Sequence, residues 1–374
     1  MKIKKYNILY RFLALHFLKS FGLVFFCIAG IICLFSIINN AKSFAGKSSN
    51  IPFTVTMQFA LQDVFMTLNT TLPLSVLLAG VLTFWRLSRT SELTVIRSIG
   101  LSVWQFIEPV IMVCVAIGCL NMFVFSPISS ALQKRVSRLS YKYEVSHSNP
   151  LLFSQQGLWL KEKSEFTQSF INAEYIKKDG AELNGKNIVI FITDLNNNFI
   201  KRIEAKSAIL KDKALELFNV KMIDPRLYVE NFSQYSYPTS LTVDKIEENS
   251  SAPETFSFWE LPGFISFFEN AGFSARKHRA YFYTLLFMPL VLCAMLFISA
   301  IFSISPKRNQ SNLAVKLSGG VLVGFGVFFL DQVIIAMGAS GRIPLFISAI
   351  SIPVIAILFC ITVLLYHEDG EMFL

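Results

Sequence analysis

The chain has 374 residues, of which 53% are hydrophobic and 37 are phenylalanine, and its formal net charge is +9. Its mean hydropathy of +0.52 is too high for a soluble domain of this size. The composition therefore excludes a soluble globular protein. The apolar residues occur in six blocks of about 20 residues, the helix length that crosses a hydrocarbon core of roughly 30 Å. The sequence therefore predicts a membrane protein with six transmembrane helices.

The first three blocks lie in the first third of the chain. The first runs from about Ser20 to Ile38, after a basic segment and without a small-residue cleavage site, so it is predicted to be a retained span and not a signal peptide. The second covers about Phe59 to Leu87, and Pro73 in its middle is predicted to kink it. The third covers about Trp104 to Phe125.

A short charged segment, RLSRTSELTVIRSIGLS at Arg86 to Ser102, separates spans two and three and reads as an amphipathic helix. Its apolar side carries Leu93, Ile96 and Gly100, while Glu92 and Arg97 lie elsewhere on it. A helix of this kind could engage a motor protein, or it could rest in the lipid headgroups. Periodicity does not separate these two interpretations.

About 150 residues of ordinary soluble composition follow span three. Between Leu151 and Val243 they form short β-like runs, among them GLWLKEK, NIVIFITD and LELFNVKMID, broken by the Asn, Asp and Gly that turns need. The pattern predicts an antiparallel sheet curled into a sandwich, jelly roll or barrel. No catalytic signature occurs there, which favours a scaffold or docking domain. An apolar inner face would also suit acyl chains, and an open edge would suit a strand from a partner.

Spans four to six cover about Tyr281 to Ile304, Leu313 to Met337 and Leu345 to Tyr366. Span five places Asp331 and Gln332 within an apolar run. A carboxylate near the bilayer centre costs about 2.5–3.5 kcal/mol on insertion scales, which makes Asp331 a site candidate. Because it lies towards the outer end of the span, an interfacial acid hydrogen-bonded to a neighbouring helix is the alternative.

Lys and Arg in the short segments predict the orientation. The amino terminus, the turn at Arg86 to Arg97 and the turn at Ser305 to Lys316 are the basic ones, which places both termini in the cytoplasm and the long insert outside, in the periplasm or the extracellular space. Basic residues just after span three break this trend, which favours binding of anionic groups at about 1 kcal/mol each over a merely solvated helix face. They are Lys134, Arg135, Arg138 and Lys142.

Other kinds of site have little support. All six cysteines fall inside spans, so the exported domain is predicted to have no disulfide, and four scattered histidines argue against a metal site. The nearest string to a phosphate loop, FAGKSSN at Phe44 to Asn50, lacks the first glycine. The chain is therefore predicted to depend on a separate subunit for any ATP hydrolysis.

Several motifs together resemble the LptF/LptG (YjgP/YjgQ) family of lipopolysaccharide export permeases. RTSELTVIRSIGLS, from Arg89, is similar to the family pattern S-E-L-x-x-[ML]-x-x-x-G-x-[ST] between spans two and three. NMFVFSPISSALQ from Asn121, QGLWLKEKSEF from Gln156 and FFLDQ from Phe328 support the resemblance, as do span count and insertion point. GLWLK and LDQ look more like the LptG branch of the family than the LptF branch.

The resemblance implies six transmembrane helices with an inserted all-β periplasmic jelly roll. The implied domains are 1–125, with a coupling helix at about 88–102, then 126–275 with helical connectors, and 276–374. It implies that Glu92 contacts the ATPase as part of the coupling helix, together with Leu93, Ile96, Arg97 and Gly100. It also implies glycolipid contacts from Lys134, Arg135 and Arg138, and a lateral gate formed by spans one and five, the setting of Asp331 and Gln332.

Two departures from the family pattern concern charge and turn residues. Some members carry a lysine in the outer half of span one, where this chain has Cys33, so Lys42, further out, is the nearest candidate for headgroup contact. The usual F-G-P after span four reads FSISPKR here.

By this resemblance the chain is a non-catalytic permease subunit of an ABC transporter in the bacterial inner membrane, without a cofactor of its own. The implied partners are an LptF-like permease, two LptB-like subunits that use ATP and Mg, a single-span LptC-like protein and an LptA-like periplasmic bridge. Lipopolysaccharide is the implied substrate, and no nucleic acid is involved.

The LptF role in the same complex and a membrane sensor with an outer ligand-binding domain are alternatives. The sensor would signal through short turns and the acidic tail HEDGEMFL alone. A proton-coupled transporter built on Asp331 is weaker still, because one isolated acid makes a poor relay.

Overall fold

The chain divides into two compact units, a helical unit of Met1–Tyr143 with Arg276–Leu374 and a β unit of Glu144–Ala275. The structure is a computed structural model, and it describes residues 2–45, 52–90, 92, 102–142, 151–154, 157–163, 167–179, 182–194, 198–211, 214–226, 228–239, 252–270, 273–303 and 313–370.

Six helices of the described residues are long and apolar enough to cross a membrane, as predicted, and the third of them is the continuous helix that contains Val103–Ser137. Most extend beyond the predicted apolar blocks, because polar turns at their ends are helical too. The helices of the helical unit are α1 (Lys2–Ala45), α2 (Phe53–Arg89), α3 (Val103–Leu120), α4 (Ser126–Lys142), α6 (Arg276–Ser303), α7 (Leu313–Ala339) and α8 (Leu345–Gly370).

A π-helical turn, Asn121–Phe125, joins α3 to α4 without a break. Such a turn adds one residue to a helix and changes the direction of the side chains that follow it. The predicted boundary at residue 125 falls inside this continuous helix, and α4 belongs to the helical unit. The predicted domain limits and the kink at Pro73, which lies inside α2, stay predictions.

Helix α6 is the centre of the helical unit. Each residue from 291 to 300 is buried, and α6 packs against α2, α3, α7 and α8. Glycines allow close approach: a Cβ atom on Gly118 of α3 would lie 2.6 Å from the Cα atom of Pro289. Helices α1 and α7 are the least covered of the six spans.

The β unit contains one antiparallel sheet of seven described strands that pair in chain order. The oxygens of Ser169 and Tyr237 lie 2.6 Å apart, and Thr239 donates a 2.9 Å hydrogen bond to Glu162, so the end of the last strand curls back to β2 and β3. The antiparallel β prediction is confirmed, while its jelly-roll form and periplasmic location stay predictions. The strands are β1 (Leu151–Ser154), β2 (Gly157–Lys163), β3 (Thr167–Asp179), β4 (Glu182–Asp194), β5 (Phe199–Lys211), β6 (Ala214–Ile223) and β7 (Val229–Pro238).

A small aromatic cluster lies in the part of the β unit that follows the described strands in the chain. Helix α5 (Leu261–Asn270) buries one face, and Phe264 and Phe268 stack with ring centres 5.4 Å apart. Phe256 stacks on Phe264, and Phe273 stacks on Phe268, at 4.1 and 5.0 Å. Offset stacking of this kind adds to the area that the rings bury.

Candidate functional site

The predicted coupling segment is described only at its ends and at Glu92. Helix α2 ends at Arg89, whose guanidinium carbon lies 5.5 Å from the centre of the Trp85 ring, and α3 begins after Ser102, whose hydroxyl accepts a 3.4 Å hydrogen bond from the backbone of Gln105. Glu92 is half-buried, and its Oε2 atom is buried without a hydrogen-bond partner among the described residues. Leu93, Ile96, Arg97 and Gly100 lie outside the described residues.

Lys42 lies in the last turn of α1 and is exposed. A cation there interacts favourably with the carbonyl end of the helix. Two residues earlier, the Asn40 side chain donates a 2.8 Å hydrogen bond to the carboxylate of Asp63 on α2. The end of α1 that carries Lys42 is thus joined to α2.

The basic residues after span three lie on α4. Lys134 is half-buried and Arg135 is exposed, while Arg138 belongs to the helix but its side chain is not among those described. Spacings of three and four residues place Arg138 near the other two on one side of the helix. Directly before Lys134, the amide of Gln133 accepts a hydrogen bond from Gln62 of α2.

Asp331 lies on the packed side of α7. It is 3% exposed, and its Oδ1 atom is buried without a hydrogen-bond partner in the part of the chain that the structure describes. Gly320, Gly324 and Gly338 are buried against α6, α2 and α8 respectively. Asp331 lies between the last two, seven residues from each, which places it on the same side of the helix. Gln332 is half-buried. The carboxyl group therefore faces protein and not lipid.

Sequence reasoning missed the polar contacts that join the helices. Asn121, at the start of the π-helical turn, is 3% exposed and donates a 2.8 Å hydrogen bond to Asn69 of α2, which in turn donates to the Tyr281 hydroxyl at 3.4 Å. Near the other end of the spans, Tyr10 of α1 donates to the carboxylate of Glu108 on α3. The signal that could have found them is the same as for Asp331, a polar residue within an apolar run.

The inner face of the sheet is apolar and buried. It carries Ile190, Ile203 and Leu217 from three neighbouring strands, each fully buried. At one end this face becomes polar, where Tyr237 meets Ser169. Burial raises the pKa of the Tyr237 hydroxyl, an effect that the hydrogen bond with Ser169 opposes and the nearby charge of Glu162 reinforces.

Among the described residues, no group of three or more His, Cys, Asp or Glu side chains is placed to hold a metal ion. In the helical unit the candidate residues are the basic residues Lys42, Lys134 and Arg135 and the buried acid Asp331. In the β unit the candidate feature is the apolar inner face of the sheet.

Comparison with protein families decides the class of protein. The sequence model of the family "Lipopolysaccharide export system permease LptF/LptG" matches residues 11–366. The chain belongs to the LptF/LptG family. The predicted family is thus confirmed, and with it a permease of the lipopolysaccharide export class, which is a transporter component.

The chain is also similar in sequence to individual curated members of the LptF/LptG family. The chain is 23% identical to the lipopolysaccharide export system permease protein LptG of Escherichia coli (strain K12) over 268 residues, which is 70% of this chain and 71% of the relative. It is 21% identical to LptG of Haemophilus influenzae over 275 residues, or 71% and 73% of the two chains. The predicted likeness to the LptG branch is confirmed. Family membership and six apolar helices indicate an inner-membrane protein.

Proposed function

We propose that this chain is the LptG-like permease subunit of an ATP-driven exporter. The exporter extracts lipopolysaccharide from the outer leaflet of the inner membrane and passes it to a periplasmic bridge. The observation that carries the proposal is the family match over residues 11–366, which includes the spans and the inserted sheet together. In this function the β unit is the periplasmic domain, in jelly-roll form, and both termini are cytoplasmic.

The cost of moving acyl chains explains why a permease would need an apolar path. Exposing one chain of about a dozen carbons to water costs roughly 10 kcal/mol at about 0.8 kcal/mol per CH₂ group, and lipid A has several chains. An apolar cavity beside α1 and α7, the least covered spans, would shelter the chains during extraction. The apolar inner face of the sheet would then receive them.

Coupling to ATP would use the segment at 88–102. In this proposal Glu92 contacts an LptB-like ATPase that binds ATP and Mg, and Leu93, Ile96, Arg97 and Gly100 complete the surface. The Oε2 atom of Glu92, which is buried without a hydrogen-bond partner in the part of the chain that the structure describes, supports this, because such a carboxylate oxygen gains from an additional donor. Closure of the ATPase pair would move α2 and α3, which flank the segment.

Recognition of the glycolipid would use basic residues. Lys42, Lys134, Arg135 and Arg138 are proposed to bind its anionic groups, at about 1 kcal/mol for each cation near such a surface. The proposed partners are an LptF-like permease, two LptB-like subunits, a single-span LptC-like protein and an LptA-like bridge. Co-purification with a known LptF but not with a known LptG would distinguish the LptG position from the LptF position.

Proteoliposomes that contain the assembled complex test this function. We expect lipopolysaccharide to reach a soluble periplasmic acceptor when ATP and Mg are added, and not with a non-hydrolysable ATP analogue. An intact complex that hydrolyses ATP and releases no lipopolysaccharide would contradict the proposal.

A further inference from the structure

Two consecutive polar residues of α2, Gln62 and Asp63, bond to two different helices. Asp63 accepts the 2.8 Å hydrogen bond from Asn40 of α1, and Gln62 donates to Gln133 of α4. Consecutive residues of an α-helix point about 100° apart, so one short stretch of α2 can reach neighbours on two sides.

Each bond ends beside a cation that the proposed function assigns to the substrate. Asn40 precedes Lys42 by two residues, and Gln133 directly precedes Lys134. Both distances are less than one helical turn, about 5.4 Å along the axis. A shift of either bonded residue would therefore carry the neighbouring cation with it.

Few apolar side chains of these two helix segments are buried among the described residues. Of the described residues 25–42 of α1, Ser36 is the one that is buried, whereas the earlier part of α1 buries Leu13, Phe17 and Val24. Helix α4 buries mainly serines and Val136. Where few apolar groups are buried, an interhelical hydrogen bond contributes more to the position of a helix segment.

We propose that Gln62 and Asp63 are positioning residues that set the spacing between the cation of α1 and the cations of α4. This deepens the proposed function, on which it rests for the role of the cations. Because the two residues are adjacent in one rigid helix, α1 and α4 are held relative to a single reference. A headgroup with two separated anionic groups would then meet cations at a defined separation.

A distance measurement between α1 and α4 tests the proposal directly. Spin labels are attached at Ala41→Cys and Ala131→Cys, both exposed, in a cysteine-free background of the full chain in lipid nanodiscs. The labels leave Lys42 and Lys134 unchanged. Pulsed electron resonance then gives the distribution of label distances for the native chain and for each variant.

We expect Asp63→Leu and Gln62→Leu each to broaden and shift this distribution. Thr67→Val, one turn further along α2 at an exposed position, is the matched control and leaves it unchanged. The exchanged pair Asn40→Asp with Asp63→Asn keeps a donor opposite a carboxylate and is expected to restore the native distribution. A distribution that stays native in either apolar variant, or that the exchanged pair fails to restore, overturns the proposal.

A second readout separates the positioning role from the proposed function. In the assembled complex, lipopolysaccharide release per ATP is expected to fall on the order of fivefold in each apolar variant, the fold-change that corresponds to one hydrogen bond of about 1 kcal/mol. If the native complex releases no lipopolysaccharide while the label distances respond as expected, the proposed function fails and the positioning role stands.

Discussion

The carboxyl group of Asp331 lies among protein groups that give it no hydrogen bond within the described residues. Its neighbours along the packed side of α7 are glycines, which let three helices approach closely. An unpartnered buried polar group keeps its full desolvation cost, which is larger for a charge than for a neutral amide. In the isolated chain this residue therefore costs stability, as a group retained for function or for a partner subunit would.

Asp331→Asn is expected to raise the free energy of unfolding of the isolated chain by about 1–3 kcal/mol, because a neutral amide is cheaper to bury. The measurement is thermal unfolding in detergent followed by intrinsic fluorescence. Asp63→Asn is the matched control and should unfold at a lower temperature, since Asp63 accepts a charge-assisted hydrogen bond from Asn40. A lower unfolding temperature for Asp331→Asn would show that the acid already has a stabilising partner.

Undiminished lipopolysaccharide export by the Asp331→Asn variant would exclude the alternative function, a proton-coupled transporter built on Asp331.

Tyr237 gives the β unit a dependence on alkaline pH. Its pKa is raised in the folded chain, so the folded state keeps the proton at pH values where the unfolded state has lost it. The contribution to stability is thus complete below the ordinary tyrosine pKa of about 10 and is lost as pH rises through the folded pKa. Tyr237→Phe should abolish this loss and should cost about 1 kcal/mol at neutral pH, through the missing bond to Ser169.

Urea unfolding of the full chain measures this effect, with Trp85, Trp104 and Trp259 replaced by phenylalanine so that the fluorescence reports Trp159 of β2. The native tyrosine should give a free energy of unfolding that falls above pH 10, and the phenylalanine variant a flatter curve. Parallel curves for the two chains would disprove the role of Tyr237.

At the scale of elements, glycines set how closely the helices pack around α6. A Cβ atom at Gly118 would lie 2.6 Å from the backbone of Pro289, whereas one at Gly30 of α1 would meet nothing within 4 Å. Gly118→Leu should lower the free energy of unfolding by about 1–3 kcal/mol, the usual cost of overpacking, and Gly30→Leu should leave it unchanged. Thermal unfolding of both variants in the same detergent is the check, and equal unfolding temperatures would contradict the packing described here.

The spans could be predicted because each needs a long apolar run, which composition shows directly. Strands β2 to β7 could be found from alternation and turn residues, whereas β1 is a short run, LLFS, too brief for alternation to show. The π-helical turn at Asn121–Phe125 was not predicted, because its distinctive feature is a backbone hydrogen-bond pattern without a sequence signature. The order in which the strands pair was not predicted either, because alternation indicates that a segment is a strand and does not indicate which strand lies next to it.

The candidate site was predicted in part. Asp331 was found because a single acid in an apolar run is conspicuous, but Gln62 and Asp63 were missed. Their significance depends on Asn40 and Gln133, which come from other helices, and one sequence does not show which helix faces which. The roles of Lys42, Lys134 and Arg135 stay predictions, as does the coupling segment.

At the scale of the whole molecule, three features occur in one chain. The first is a set of six spans, in which α1 and α7 are the least buried. The second is an antiparallel sheet with an apolar inner face, and the third is the short segment that connects α2 to α3. The proposed function would use all three, because in it the amphiphile leaves the membrane, is sheltered outside it and is driven by ATP hydrolysis inside the cell. The link between energy and movement is the part on which the other two depend.

Glu92 is where this link is tested most directly. In the reconstituted complex we expect Glu92→Ala to reduce lipopolysaccharide release per ATP by at least about tenfold, a loss of roughly 1.4 kcal/mol in coupling. The conservative variant Glu92→Gln, which keeps the size and loses the charge, should give an intermediate value.

The decisive measurement is therefore the ratio of lipopolysaccharide released to ATP hydrolysed in the Glu92→Ala complex, with co-purification of the subunits measured alongside. A low ratio, or a weakened complex that releases little, is the predicted result. Normal assembly with a native ratio would contradict the account, because the segment between α2 and α3 would then be no more than a helix resting at the membrane surface.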